Sequence, residues 1–197
     1  MSIVLAQANW SKTFAGEDFS GEVLSSIEFE SCTFTGCNFS DAVFDRCNFV
    51  DCEFIKCNLS MVNIRYSKFS DVVFRDSKAI GIDWTKMALP KIVFSAPINF
   101  FDCMLDDCSF DGMSLPDIAI ESSVARRVGF RSGEFRNANF RDTNFSGALF
   151  SDTNLSGADF SSATDFDIDI FNNMLKQAKF DRFEAIRLLG SLDIELV

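Results

Sequence analysis

Residues 31–54 read SCTFTGCNFSDAVFDRCNFVDCEF, and in this stretch a phenylalanine returns at every fifth position. Small or sulfur-containing residues such as Cys32, Cys37 and Ala42 stand two places before these phenylalanines. A period of five matches neither the 3.6-residue period of an α-helix nor the two-residue alternation of a β-strand. The pattern predicts a chain that turns after every five residues and points one large and one small side chain inward on each side.

The five-residue series can be followed through most of the chain. Its centres run from Phe14 to Phe94 and, after a slip of one residue, from Phe100 to Phe160. Of the 24 phenylalanines, 19 fall on these centres. A repeat of this kind predicts a solenoid in which each coil contacts only its neighbours and both ends need caps.

The slip predicts the one irregular point of the solenoid. It places an extra residue in the segment 95–99, and Pro90 and Pro97 flank it. Proline has no N–H for a β-ladder, so a bulge or loop is expected there. Phe101 follows at an outward position, which predicts an exposed aromatic side chain beside the bulge.

The composition excludes several function classes. The chain contains no histidine, the usual general base of hydrolases. With 18 Lys and Arg against 29 Asp and Glu, its net charge is −11, which repels nucleic acid and favours basic partners. No apolar run approaches the ~20 residues of a membrane span, and the start of the chain does not resemble a signal peptide. We expect a cytoplasmic, non-enzymatic protein with no membrane contact and no cofactor.

The seven cysteines resemble a metal cluster only at first sight. All of them occupy the small inward position of the repeat, so we expect buried, reduced and metal-free thiols that act as small apolar residues. An odd number of cysteines also argues against a closed set of disulfides and favours a reducing compartment. The seven are Cys32, Cys37, Cys47, Cys52, Cys57, Cys103 and Cys108.

The repeat ends after Phe160, which predicts a β-solenoid over residues 1–164 and a C-terminal cap over residues 165–197. Asp181 and Glu184 have the spacing of a capping box and predict a helix of about nine residues that stops at Gly190. The apolar side chains of this segment exceed what one end of the solenoid can cover, which predicts a homodimer contact. The residues of this contact are Phe183, Ile186, Leu188, Leu189, Leu192, Ile194 and Leu196.

Two segments carry a resemblance to a known family. Ala138-Asn-Phe-Arg-Asp142 and Ala158-Asp-Phe-Ser-Ser162 resemble the repeated unit of pentapeptide-repeat proteins. This resemblance implies an all-β fold, a right-handed quadrilateral β-helix with four pentapeptides per coil and a C-terminal α-helical cap. About 7.5 coils at ~4.8 Å per coil would give a rod about 36 Å long.

Two further segments, 80–85 and 185–194, resemble the topoisomerase-protecting branch of that family, the Qnr-type and albicidin-resistance proteins. The resemblance implies a non-catalytic homodimer, joined at its C-terminus, that binds DNA gyrase, with topoisomerase IV as a second target. Such a protein protects the enzyme from a quinolone- or albicidin-like poison, partly by mimicking DNA, and binds no nucleic acid itself. The alternative is a pentapeptide-repeat scaffold for another protein, because the fold alone does not fix the function.

Two features are candidate partner-binding sites, the slip and an acidic face. If the slip only bulges, six acids fall on one face, namely Asp18, Asp41, Asp102, Glu121, Asp142 and Asp159. A second face then carries Arg46, Arg65, Lys86, Arg126 and Arg127. B-DNA would place about 21 charges along 36 Å, so a net charge of −11 permits only partial mimicry. The predicted partner-binding residues are Pro90, Lys91, Ser95, Pro97, Phe101, Asp102, Glu121 and Asp142.

Overall fold

The computed structural model describes residues 5–89, 96–192 and 194. These residues form a parallel β-helix of about eight coils with four flat faces, so the predicted quadrilateral β-helix is confirmed. Residues 20 positions apart lie side by side in neighbouring coils, as Phe14 and Phe34 do on one face. Four pentapeptides therefore make one coil.

Sixteen short strands build the faces. In chain order they are β1 (Ala8–Trp10), β2 (Thr13–Ala15), β3 (Val23–Ser25), β4 (Glu28–Glu30), β5 (Thr33–Thr35), β6 (Val43–Asp45), β7 (Asn48–Val50), β8 (Glu53–Ile55), β9 (Lys68–Ser70), β10 (Val72–Arg75), β11 (Ile98–Phe101), β12 (Ile120–Glu121), β13 (Thr153–Asn154), β14 (Asp159–Phe160), β15 (Asn173–Met174) and β16 (Lys179–Phe180).

We number the faces in chain order from β1. Face 1 contains β1, β4, β7 and β9, and later β13 and β15. Face 2 contains β2, β5, β8, β10, β11 and β12, and later β14 and β16. Face 3 is held by isolated parallel bridges that begin with Asp18 opposite Asn38. Face 4 begins with β3 and β6 and continues through bridges to Leu149.

Columns of stacked phenylalanine rings fill the interior. The ring of Phe34 lies 5.0 Å from that of Phe14 and 4.7 Å from that of Phe54, both nearly parallel to it. Phe39 of the next face meets Phe34 edge-on at 5.5 Å. Stacked and edge-on pairs are the preferred aromatic geometries. The small residues two places earlier, such as Cys37, are buried as well, which confirms the two inward positions.

The corners between faces have a left-handed backbone. The last residue of a pentapeptide has a φ near +50 to +60°, for example 49° at Asp51 and 52° at Ser122. This region is unfavourable for bulky side chains and is tolerated best by glycine and by short polar residues. The left-handed backbone of the corners therefore explains why Ser, Asp and Gly recur two places after the central residues.

The irregular point is an insertion of six residues. Phe74 lies opposite Phe54 at a separation of 20 residues, but opposite Phe100 at a separation of 26. The prediction of a one-residue bulge at 95–99 was wrong in extent, because residues 98–101 form the regular strand β11. The extra length lies between Leu89 and Ile98, in a segment whose residues 90–95 are outside the described part of the chain.

The β-helix also extends beyond the predicted boundary at residue 164. β15 pairs with β13 and β16 pairs with β14. The ring of Phe180 stacks on that of Phe160 at 5.0 Å, and Phe166 is buried against both. The sequence boundary was too early because residues 165–172 leave the five-residue phase before the last strands resume it.

The C-terminal helix spans Glu184–Leu192 and is a 3-10 helix rather than the predicted α-helix. The Asp181 carboxylate accepts a hydrogen bond from the Phe183 N–H at 2.8 Å, while Glu184 binds Arg187 instead of closing a capping box.

A second 3-10 turn covers Trp84–Lys86. Within the described residues, no helix has the length and apolar character that crossing a bilayer requires.

Candidate interaction surfaces

Three of the predicted acidic residues lie together on face 2, next to the insertion. Glu121 pairs with Phe101 across β11 and β12, and the Asp102 N–H donates to the Glu121 carbonyl at 3.0 Å. Asp102 and Asp142 are exposed at the corner that bounds this face. None of the three acids forms an ion pair with a residue that the structure describes. Their charge is available to an external cation.

Phe101 is half-buried rather than exposed, contrary to the prediction from its outward position. The Arg75 guanidinium lies 4.6 Å from its ring centroid and is itself held by Glu53 at 2.8 Å. An arginine over an aromatic face shields the ring from water. Pro97 is also half-buried, and its carbonyl accepts from the Val72 N–H at 3.0 Å.

Three other predicted site residues cannot be placed on this surface. Pro90, Lys91 and Ser95 lie outside the described residues, although Leu89 and Ala96 on either side of the segment are packed against the solenoid.

The predicted acidic and basic faces are each split between two faces of the structure. Asp18 and Asp41 belong to face 3, whereas Asp102, Glu121, Asp142 and Asp159 belong to face 2. Arg126 and Arg127 belong to face 3, whereas Arg46, Arg65 and Lys86 belong to face 4 and its corners. The physical reason is the insertion: it lengthens one coil by six residues rather than one, so every later pentapeptide lies one face away from where a one-residue bulge would put it.

Three arginines of the later coils bind acids one coil earlier. Arg127 donates to both carboxylate oxygens of Asp107 at 2.7 and 2.8 Å, and Arg131 binds Asp111 at 2.7 Å in the same way. Arg126 also binds the carboxylate of Asp106, which stands at the same position of the repeat one coil earlier. The Arg127 hydrogen bond lowers the pKa of the Asp107 carboxyl below its usual value. These ladders stiffen the surface and leave little free positive charge there.

All seven thiols are free and buried, as the repeat register predicts. Burial raises the pKa of Cys52 and Cys103 to about 11 and that of Cys108 to about 12. A hydrogen bond with the stacked Cys37, followed by burial, raises the pKa of Cys57. Among the described residues, no three His, Cys, Asp or Glu side chains are grouped closely enough to hold a metal ion. A thiol with a raised pKa is a poor nucleophile at neutral pH.

The C-terminal end of the rod exposes apolar side chains. Phe183 is 70% exposed and Ile186 is 54% exposed, and Leu192 and Ile194 are also exposed. Leu188 packs partly against the core and Leu189 is half-buried, so these two close the end of the β-helix. Leu196 lies outside the described residues.

Sequence reasoning missed two exposed residues near this end, Phe171 and Met174 in the last coil. The available signal was that Phe171 is a phenylalanine off the five-residue series. It also missed Met61 and Tyr66, which are exposed at corners where a short polar residue is usual.

Comparisons with known families and proteins agree with the fold. A family model described as a pentapeptide repeat region matches residues 27–97, and one described as pentapeptide repeats in eight copies matches residues 134–164. Together the two models match more than half of the chain. No curated protein matches the chain significantly.

Solved structures with the same repeat include that of full-length QnrB1, a plasmid-mediated fluoroquinolone resistance protein. It is 25% identical, with a TM-score of 0.49 over 95% of this chain and 90% of QnrB1. A trypsin-treated QnrB1 variant is 27% identical, with a TM-score of 0.48 over 96% and 90% of the two chains. HetL from Nostoc sp. strain PCC 7120, a pentapeptide repeat protein involved in heterocyst differentiation regulation, is 12% identical, with a TM-score of 0.48 over 87% and 86%.

Proposed function

Because this chain is a pentapeptide-repeat protein, we propose that it acts by binding another protein rather than by catalysis, and that its partner is DNA gyrase. Binding would protect gyrase from a quinolone- or albicidin-like poison in the cytoplasm, and topoisomerase IV would be a second target. The resemblance of segments 80–85 and 185–194 to the topoisomerase-protecting branch supports this choice of partner.

The observation that carries the proposal is a row of carboxylates on face 2 without an ion-pair partner among the described residues, although the Glu121 carboxylate accepts a hydrogen bond from the Asn139 amide at 2.8 Å. Asp102, Glu121 and Asp142 lie in successive coils, on a flat and narrow rod whose net charge is −11. An enzyme surface that accepts DNA is basic, so such a row would steer the rod toward it and make association depend on salt. Since Asp18 and Asp41 lie on face 3, the mimicry is confined to the coils that follow the insertion.

The chemistry of the chain supports a non-catalytic role. Histidine is absent from the sequence, and the thiols lie in the interior, where burial raises the pKa of Cys52 and Cys103 to about 11. On the described later coils, Asp106, Asp107 and Asp111 are bound by arginines, whereas Asp102, Glu121 and Asp142 lie in a row along face 2. A general acid or base works next to a bound substrate, which a flat face does not enclose.

The apolar C-terminal end supports the homodimer. Phe183, Ile186 and Ile194 are exposed on the 3-10 helix and beyond it, and Phe171 and Met174 lie in the coil before it. Contiguous exposed apolar side chains usually mark a protein interface. A two-fold contact between these ends would give a rod of twice the length, with an acidic row on each half.

The experiment is gyrase binding measured by sedimentation with two variants and one control. Reversing Asp102, Glu121 and Asp142 to Lys raises the net charge from −11 to −5, since each reversal adds two charges. The control reverses Asp41, Asp117 and Asp152, three exposed corner acids on other parts of the rod, and gives the same net charge. We expect the first variant to lose binding and the control to lose less.

The second variant removes residues 90–95, which restores a coil of 20 residues between Phe74 and Phe100 without touching the acidic row. Loss of binding here, with the charge-reversed protein still bound, would assign recognition to the insertion instead. If wild-type protein does not bind gyrase at any salt concentration, the gyrase proposal is wrong and the scaffold for another protein takes its place.

A further inference from the structure

Six long or bulky side chains break the local rule of the corners, and only two of them, Met61 and Tyr66, lack a charged or amide group. Of the 23 non-glycine residues with a left-handed φ, 17 are Asp, Asn or Ser. Met61, with a φ of 60°, and Tyr66, with a φ of 57°, stand at the two corners that bound face 4. A bulky side chain is sterically unfavourable in this conformation. The local backbone therefore does not explain why these two residues are there.

Core packing does not explain them either. Tyr66 is 63% exposed, Met61 is 60% exposed, and Val23 on the same face is 64% exposed. Met61 lies flat over the next coil at Gly81, where a Cβ atom would clash with its sulfur. A residue that violates a local preference without a gain inside the fold is typical of a functional surface.

Cations surround these apolar side chains. The Arg46 guanidinium lies 5.3 Å from the Tyr66 ring centroid, and Arg46 and Arg65 share the single acid Asp45 at 3.1 and 3.2 Å. Lys86 follows Tyr66 at the same corner in the next coil and forms an ion pair with Asp83 at 3.5 Å. We call this surface the Tyr66 patch. It consists of Val23, Arg46, Met61, Arg65, Tyr66 and Lys86.

Two shallow clefts flank the patch. One of about 350 Å³ lies between Met61, Arg65 and Lys86, and one of about 580 Å³ lies between Arg46, Tyr66 and Lys68. Each wall offers apolar side chains with two cations against one acid, which is Asp83 in the first cleft and Glu28 in the second. This combination complements a ligand that carries both acids and apolar groups.

We propose that the Tyr66 patch binds an acidic segment of a partner protein, with an apolar side chain of that segment packed between Met61 and Tyr66. The patch spans three coil spacings, or about 14 Å, which an extended peptide of about four residues covers. At physiological salt, charges beyond ~8 Å are largely screened, so a short segment meets mainly the three cations of the patch and the two acids paired with them, Asp45 and Asp83. A DNA duplex is longer than the patch and would also meet the acids of the neighbouring coils. The proposal does not depend on the identity of gyrase as the partner of face 2.

The test uses the full chain and the double variant Met61→Asn, Tyr66→Asn. Asparagine suits a left-handed corner, so we expect the fold and thermal stability to be kept. The matched control is Lys56→Asn, which changes an exposed cation with a φ of 53° at the corner between faces 2 and 3. Immobilised wild-type protein is used to select binders from a random-peptide display library. The enriched sequences are then synthesised with a fluorescent label.

We expect enriched peptides that combine Asp or Glu with Phe or Leu, and binding that weakens about tenfold in the double variant, as for a hot-spot residue. The control should bind within about twofold of wild type, a change too small for a hot spot. The proposal is overturned if no peptide is enriched, if the enriched peptides are basic, or if the double variant binds them as wild type does. A short DNA duplex that displaces the peptide and binds more tightly would assign the patch to nucleic acid instead.

Discussion

Phe49 shows at the scale of one residue how the interior is held together. Its ring stacks on Phe29 at 5.0 Å and on Phe69 at 5.1 Å, and it is 1% exposed. Each central phenylalanine thus joins three coils through one column. Removal of such a ring leaves a cavity that neighbouring coils, fixed by their backbone ladders, cannot close.

We therefore expect Phe49→Ala to cost about 3–5 kcal/mol of unfolding free energy, the range for large-to-small changes of buried aromatics. Denaturant unfolding followed by circular dichroism measures it. Phe171→Ala is the control, because that phenylalanine is 71% exposed. An unchanged unfolding midpoint for Phe49→Ala would mean that the assigned register is wrong.

The buried thiols limit the stability of the folded protein at alkaline pH. Cys52 and Cys103 have pKa values of about 11 and Cys108 of about 12 in the folded chain, against ~8.5 in an unfolded one. The folded state therefore holds its thiol protons more tightly. The resulting stability is fully present below pH ~8.5 and is lost as pH rises toward 11.

We expect the thermal midpoint to fall between pH 8 and pH 10.5, and to fall less in the variant Cys52→Ala, Cys103→Ala. Other groups that titrate in this range contribute equally to both proteins. The difference between the wild type and the variant in the slope of thermal midpoint against pH therefore reports the two thiols. Equal slopes would show that these thiols ionise as easily in the folded protein as in the unfolded one.

At the scale of the elements, the C-terminal 3-10 helix and the residue before it carry two kinds of apolar side chain, packed and exposed. Leu188 packs against the core and closes the last coil, whereas Phe183 and Ile186 point away from it. The apolar residues needed for folding and those available for association can thus be changed separately.

We expect Phe183→Asp with Ile186→Asp to convert a homodimer into a folded monomer, because both side chains are exposed in the single chain. Sedimentation velocity measures the change. Trp10→Asp, at an exposed aromatic residue in the first coil, is the control and should leave the dimer intact. A dimer that persists in the double variant would place the interface elsewhere.

The elements also show how much of the structure the sequence predicts. Phe34 and Cys37 are inward because a five-residue period leaves no other arrangement, and this part of the prediction is confirmed. The insertion could not be sized in this way, because Phe94 keeps the five-residue phase although Phe100 is the residue that stacks under Phe74. The register after the insertion decides which face each later acid occupies. The later acids lie on face 2, so Asp18 and Asp41 on face 3 do not share a face with them, and the predicted acidic face was wrong in this respect. Phe101 was misjudged because the period does not report the Arg75 side chain above its ring.

At the scale of the whole molecule, the faces of the rod differ in charge and its two ends differ in apolar character. Acids without an ion-pair partner among the described residues follow the insertion on face 2, the pairs Arg126–Asp106 and Arg127–Asp107 stiffen face 3, and the Tyr66 patch adds cations and apolar groups to face 4. The C-terminal end is apolar, whereas the first coil carries charged residues two places before its central residues, with Lys12 and Glu22 exposed and Glu17 half-buried. Charges at an end discourage stacking of one rod on another.

The measurement that tests the central functional claim most directly is poison-induced DNA cleavage by gyrase, with increasing amounts of the wild-type protein. The account predicts that cleavage complexes decrease at protein concentrations that still permit supercoiling, and that the protection weakens when Asp102, Glu121 and Asp142 are reversed to Lys. Cleavage that stays unchanged at every protein concentration compatible with supercoiling would contradict the account.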